Sequence, residues 1–298
     1  MNTISRFPNP FPPLFARAWG DDAFGLWAEF AIEIPEGEPV VQNLRWIEPG
    51  TFWMGAPDDE PQRDHNEGPR HEVTLSQGFW LADTACTQAL WHAVMGNNPS
   101  HFKGNPQQPV EQVSWHDVQA FLQALQALLP GCQADLPSEA EWEYACRAGT
   151  TTPFSFGANI NPQQVNYDGN YPYADGKKGE YREKTVPVKS LSANPWGLYQ
   201  MHGNVFEWCK DGKQAYDGRA QIDPLALLAE DGLRAVRGGS WYELAWDTRS
   251  AHRYASPPGD ADNEQGFRFC LRSMEPGQEQ VSPAGTPGWA TGGSPSRV

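Results

Sequence analysis

The stretch Asn194-Pro-Trp-Gly-Leu-Tyr-Gln-Met-His-Gly-Asn-Val-Phe-Glu-Trp208 holds neither a helical nor a strand period along its length. Glycine there permits tight backbone, and tryptophan and its large neighbours supply core. The same texture, rich in Gly, Asn and Tyr, runs through 150–235 and predicts long structured loops with little regular secondary structure. Upstream the pattern changes. Thr87 to Met95 begins on a Thr cap and puts Leu90, Trp91, Val94 and Met95 on one stripe. Ser114 to Leu129 places Val118, Phe121, Leu122, Leu125 and Leu129 at helical spacing. Pro137-Ser-Glu-Ala-Glu141 is a capping box whose helix runs to about Arg147-Ala-Gly149. Further toward the N-terminus, Gly25 to Glu33 and Val40 to Ile47 alternate with period two and read as two strands joined by a turn. A third short strand follows Pro49-Gly50, and the polar stretch 56–71 reads as a long loop.

These elements predict an α+β fold, a single loop-rich domain. Residues 1–20 are proline-rich and expected to be extended, 21–274 form the domain with the strands of 25–54 packed on it, and 275–298 read as a disordered tail. Twelve of the last 23 residues are Gly, Pro or Ser, too few apolar groups to offset the entropy of ordering; Trp289 is the one docking candidate in that tail.

Charge narrows the function classes. Among 298 residues, 37 are acidic and 22 basic, a formal net charge of −15. Nucleic acid and anionic membrane surfaces both require clustered Lys and Arg, so neither is an expected partner. No apolar run approaches the roughly 18 residues of a membrane span, and the proline-interrupted start lacks a secretory h-region. The five cysteines, 86, 132, 146, 209 and 270, form no CxxC pair and fit reduced thiols in a cytoplasmic protein.

Several strings recur in order: Trp46-Ile-x-Pro-Gly-x-Phe-x-Met-Gly55, Glu67-Gly-Pro-x-His71, Pro109-Val-x-x-Val-Ser-Trp115, and Leu136-Pro-Ser-Glu-Ala-Glu-Trp-Glu-Tyr-Ala-Cys-Arg-Ala-Gly149. The opening stretch comes next, then Arg237-Gly-Gly-Ser-Trp241 and Gly266-Phe-Arg268. Together they resemble the formylglycine-generating-enzyme, or sulfatase-modifying-factor, family over about residues 40–272. The resemblance implies a mixed α+β domain related to C-type lectins.

The resemblance also exposes a departure. Oxidising members hold copper(I) between two cysteines that follow the Gly-Gly-Ser-aromatic string. Here the first position falls on Glu243 and the second near Ala245 or Thr248, and no cysteine occurs from 210 to 269. Copper(I) requires soft thiolates, so copper-dependent oxidation of a substrate cysteine is not expected. The added iron-binding bundle of the ergothioneine-pathway relatives has no counterpart either, and His65 and His71 share a loop without an evident third ligand.

Calcium is the cofactor the resemblance implies, in a structural role. One set maps to Gln200, Gly203, Val205 and Glu207, the other to Asn166, Tyr167, Glu180 and Arg182, mixing side-chain oxygens with backbone carbonyls as calcium prefers. Two functions from different classes stay open. In one, Trp241, Tyr242, Glu243, Trp246, Asp247, Arg249, His252 and Tyr254 form a recognition surface for a protein, peptide or small molecule, as in the lectin-like variable proteins of diversity-generating retroelements. In the other, a non-copper enzyme modifies a peptide or small metabolite, with Ser240 as a contact residue and Glu243 or His252 as a proton carrier.

Overall fold

A computed structural model of the chain describes residues 6–35, 37–129, 131–226 and 232–273. The expected tail, with Trp289, lies outside them. Strands β1 (Ala18–Asp22), β2 (Gly25–Ile32) and β3 (Val40–Ile47) form an antiparallel meander. The period-two expectation holds for β2, with Ala28, Phe30 and Ile32 turned inward, and for β3 through Gln42 and Leu44, while Ile47 is buried on the opposite face in a separate core cluster. At the end of the proline-rich stretch, Ala18–Asp22 pairs with β2 from Ala18 opposite Glu29 to Asp22 opposite Gly25.

Strands β4 (Gly50–Met54), β5 (His71–Leu75) and β6 (Phe79–Ala82) come next, with one 3₁₀ turn, His65–Glu67, inside the expected loop. The three helices then appear where the caps and the apolar spacing predict them. Helix α1 (Gln88–Met95) starts on Thr87, whose Oγ1 accepts from Leu90 N at 3.1 Å. Helix α2 (Trp115–Leu128) starts on Ser114 and is followed by β7 (Cys132–Asp135). Helix α3 (Glu139–Arg147) has a reciprocal box: Ser138 Oγ accepts from Glu141 N at 3.2 Å, and Glu141 Oε2 accepts from Ser138 N at 2.8 Å.

Beyond α3 the chain makes no strand until β8 (Phe206–Gly212), then the short β9 (Gln221–Ile222), β10 (Arg234–Arg237), β11 (Tyr254–Ser256), β12 (Gln265–Gly266) and β13 (Cys270–Ser273). The described strands assemble into a six-stranded sheet β1-β2-β3-β6-β13-β7, a four-stranded sheet β11-β10-β8-β12 and a three-stranded sheet β4-β5-β9. The main core lies between the large sheet and helices α1 and α2, where Trp91 stacks on Phe121 with ring centroids 5.3 Å apart. Each such buried ring stabilises the fold by about 1.5–3 kcal/mol.

The region 148–205 lacks a ladder to satisfy its backbone, and side-chain amides take over that task. Asn194 donates to Ala145 O at 2.8 Å and accepts from the N–H groups of Trp196 and Leu198. Asn204 accepts from Val186 N at 2.8 Å and from the amide of Asn166 at 3.1 Å. Gly203 sits at φ 69°, where a Cβ would stand 2.2 Å from Asn166 O. Glycine at this place in the opening stretch is therefore a requirement of close backbone approach.

Candidate functional site

The site is the return from β10 to β11. Arg237 ends β10 fully buried, its guanidinium hydrogen-bonded to Glu143 and to His252 O. Gly239 then turns the chain at φ 70°, where a Cβ would meet Thr248 Cγ2 at 2.7 Å. Ser240 Oγ donates to Glu264 Oε2 at 2.6 Å and accepts from Tyr242 N at 3.1 Å. Trp241 anchors the loop, donating through Nε1 to Asn263 O at 3.0 Å and through its backbone to Asn204 O. A single 3₁₀ turn, Ala245–Thr248, leads back to β11.

The eight surface residues expected from sequence divide sharply. Tyr242 and Tyr254 are 57% and 50% exposed, and Tyr254 stacks on Phe206 at 5.3 Å. Glu243, Trp246 and Asp247 are half-buried, and Trp241 shows only an edge. Arg249 contradicts the expectation: it is fully buried, bonded to Glu67 at 2.6 and 2.7 Å, to Glu60 at 2.8 Å and to Gln62 O at 2.9 Å. A guanidinium so enclosed holds the loop 60–67 in place and presents nothing to a ligand. Ser240 is likewise fully buried, which removes it as a contact residue.

His252 corrects a second expectation. Its Nε2 lies 3.4 Å from Asp247 Oδ1, yet burial first, then the charges of Arg249 and Arg237, push its pKa down to about 3. The ring is neutral at physiological pH and is a poor proton carrier there. Glu243 behaves oppositely. Burial, and after it the charges of Asp247 and Glu264, push its pKa up to about 8. Between the ordinary carboxylate range and about 8 the folded protein keeps a proton that the unfolded chain has released, so stability falls as pH rises across that interval. Melting temperatures from pH 5 to 9 should decline more steeply for the wild type than for Glu243→Gln; parallel curves would remove Glu243 as the source.

Sequence reasoning missed the charged framework beneath this loop. Glu143 is fully buried, and although burial alone would raise its pKa, Arg147 and Arg237 hold it below the usual range. Arg253 donates from Nε and Nη2 to the two oxygens of Glu139, each at 2.6 Å. The signal was present as charged residues inside otherwise aromatic and glycine-rich strings. The buried His202 is a further tie: Nδ1 lies 2.7 Å from Thr248 O, and Nε2 lies 2.9 Å from Ser155 Oγ.

The five cysteines are buried, with no disulfide, and burial pushes the thiols of Cys132, Cys146 and Cys270 up to about 12 and those of Cys86 and Cys209 well above their usual value. Cys209 and Cys270 share the core under α3 as small apolar groups. Among the described residues, no three His, Cys, Asp or Glu side chains converge as a ligand set.

The two calcium sets differ in fit. Glu207 Oε1 accepts from Arg268 Nη2, and Oε2 accepts from Arg268 Nε and Trp142 Nε1, at 2.6–2.7 Å. Its charge is neutralised and three of its four acceptor positions are filled, while the Gln200 side-chain oxygen accepts from Lys189 N at 3.1 Å. Gly203 O accepts from Val205 N, so the set Gln200, Gly203, Val205 and Glu207 does not fit a calcium ion. In the other set Asn166 Oδ1 is buried without a partner, as is the Tyr167 hydroxyl. Glu180 is more exposed and lies 3.0 Å from Arg182 Nη2. The orphaned Asn166 oxygen is the feature of this set that suits a cation.

Residues 33–273 match the model of the sulfatase-modifying factor enzyme 1-like domain. The formylglycine-generating enzyme of Thermomonospora curvata is 32% identical over 303 residues, covering 80% of this chain and 97% of that enzyme. Serine/threonine-protein kinase pkn1 of Chlamydia caviae is 34% identical over 266 residues, 80% of this chain but 39% of the kinase. The chain spans about two-fifths of the length of the chlamydial kinases it matches. Among solved structures, Treponema denticola variable protein 1 aligns with a TM-score of 0.66 at 26% identity, over 82% of this chain and 99% of that one. PvdO from Pseudomonas aeruginosa aligns with a TM-score of 0.67 at 29% identity, over 78% and 94%. No described helix is long and apolar enough to cross a membrane.

Proposed function

The chain belongs to the sulfatase-modifying factor family, and from that premise we propose that it is a recognition module for a peptide or small ligand rather than a copper-dependent oxidase. The observation that carries this reading is the composition of the β10–β11 loop. Where the family resemblance places thiolates, this chain has Glu243 and the buried Ala245 or Thr248, oxygen and hydrocarbon groups with no affinity for copper(I). What the loop offers instead is Tyr242 in the open, followed by the half-buried Glu243 and Asp247, with Tyr254 exposed at the head of β11. Rigid aromatic rings next to polar groups are the usual contact chemistry of adaptable binding loops.

The likeness to the Treponema variable protein supports this reading. A variable protein of the diversity-generating retroelement kind is its more specific form. In that form variation over 241–265 is confined to positions such as Tyr242 and Tyr254, since Arg249 and Arg253 carry buried ion pairs that hold the loop. Calcium, in this reading, is a structural ion at the side chains of Asn166 and Glu180 and the backbone carbonyls of Tyr167 and Arg182, supplying charge to the orphaned Asn166 oxygen.

The test has two arms. Purified protein supplied with copper(I), oxygen and a Cys-x-Pro-x-Arg peptide should yield no aldehyde by mass spectrometry. Peptides enriched on the protein from a displayed library should bind at least about tenfold more weakly to Tyr242→Ser/Tyr254→Ser, a loss of about 1.4 kcal/mol or more. Aldehyde formation, or binding indifferent to both tyrosines, would overturn the proposal.

A further inference from the structure

A cavity of about 410 Å³ opens between the start of α3, the end of β8 and the segment around β9. None of the eight residues expected to form the recognition surface lines it. Its charged lining comprises Glu139, Asp211, Asp217 and Arg253. Arg253 is fully committed: besides Glu139 it donates to Asn66 O and Gln214 O, and its guanidinium covers the Tyr216 ring at 3.8 Å. Asp217 pairs with Arg219 at 2.5 Å on the outside. Asp211 is left over. It is only 4% exposed, and among the described residues no Lys or Arg pairs with it.

The Asp211 carboxylate accepts from Glu139 N at 2.6 Å and from Ala226 N at 2.9 Å, which leaves acceptor capacity on both oxygens. Burial first, with the charges of Glu139 and Glu141 behind it, pushes its pKa up to about 7, so near neutral pH the carboxyl takes up either a proton or a neighbouring positive charge. Tyr216 lends the cavity its ring, packed against Arg253 and His71, while its hydroxyl is buried. The remaining wall includes Met54, Ile222, Pro224 and Leu225.

We propose that this cavity binds a small organic ammonium ion, with the charged nitrogen at the Asp211 carboxylate and the hydrocarbon portion against Met54, Ile222, Pro224 and Leu225. The alternatives fit the chemistry less well. An anion would meet an unpaired carboxylate and a guanidinium with no donor to spare. A bare metal ion would find too few ligands among the described residues. Water alone, at roughly 30 Å³ per molecule, would leave the aliphatic wall wet and the charge uncompensated. An alkylammonium supplies three donors, a full charge and an apolar tail, which are the three things the cavity lacks.

The experiment is a saturation-transfer NMR titration with n-butylammonium, using n-butanol and butyrate as probes of equal length. Only the ammonium should give a saturable signal. Asp211→Asn should weaken it by about tenfold or more, the loss of one charge-assisted hydrogen bond. Tyr216→Phe removes a hydroxyl without a partner and keeps the ring in the wall, so it should fold normally and bind as the wild type does. Gln214→Lys places a tethered ammonium at the same cavity and should abolish binding. Where Asp211→Asn fails to fold, Gln214→Lys decides the outcome. No saturable signal, equal signals from butanol or butyrate, or full binding in Gln214→Lys would overturn the proposal.

Discussion

Replacing Arg249 by methionine should cost about 3–5 kcal/mol of stability, because the change leaves two buried carboxylates without a counter-charge. Glu67 is fully buried and meets the guanidinium through both oxygens, while Glu60 is 7% exposed and meets it through one. Methionine preserves much of the side-chain volume, so the loss reports on the charge. In a domain of this size the midpoint of thermal unfolding should fall by on the order of 10 °C. A triple change that also replaces Glu60 and Glu67 by glutamine should recover part of the loss, since no net charge then stays buried. A wild-type melting temperature in Arg249→Met would show that the carboxylates find other partners and that the loop 60–67 does not depend on this arginine.

The second large effect is expected at Glu207. Glu207→Gln leaves Arg268 fully buried with only a neutral acceptor, and should destabilise by about 3–5 kcal/mol for the same reason. Here the informative comparison is with and without calcium. If Glu207 serves Arg268 and Trp142, as their hydrogen bonds indicate, the loss is the same in calcium and in chelator. If calcium raises the wild-type melting temperature and that response disappears in Glu207→Gln, the carboxylate is an ion ligand after all. A calcium response that survives Glu207→Gln and vanishes in Asn166→Ala points to the loop at Asn166 and Glu180.

Glu207 and Arg268 lie inside the strings that carry the family resemblance, Arg249 between two of them, and their roles show where a one-dimensional reading stops. Glu207 and Arg268 were visible as motif residues 61 positions apart, but nothing local says that they meet. The ligand role drawn from resemblance gave Glu207 a cation, and the fold does supply one, as a guanidinium. Arg249 was expected on the surface because a charged side chain in an aromatic segment suits a binding loop. Its partners lie 182 and 189 residues away, in a stretch legible only as a polar loop. Polar loops look alike whether they face solvent or close over a buried arginine.

What the sequence determined by itself was local. The Thr87 and Ser138 caps marked two helix starts because a cap is a hydrogen bond to a backbone group two or three residues away, and apolar spacing marked the third helix. The alternation of β2 and β3 declared a sheet with one buried face, and the missing cysteines of the β10–β11 loop could be read directly, since copper(I) chemistry depends on residue identity before it depends on geometry. Tertiary structure alone decided which charges are buried, which of the eight expected surface residues are reachable, and that Asp211 and Tyr216 share a cavity. Those outcomes rest on contacts between distant segments, where burial changes the cost of a charge by several kcal/mol and no local pattern records it.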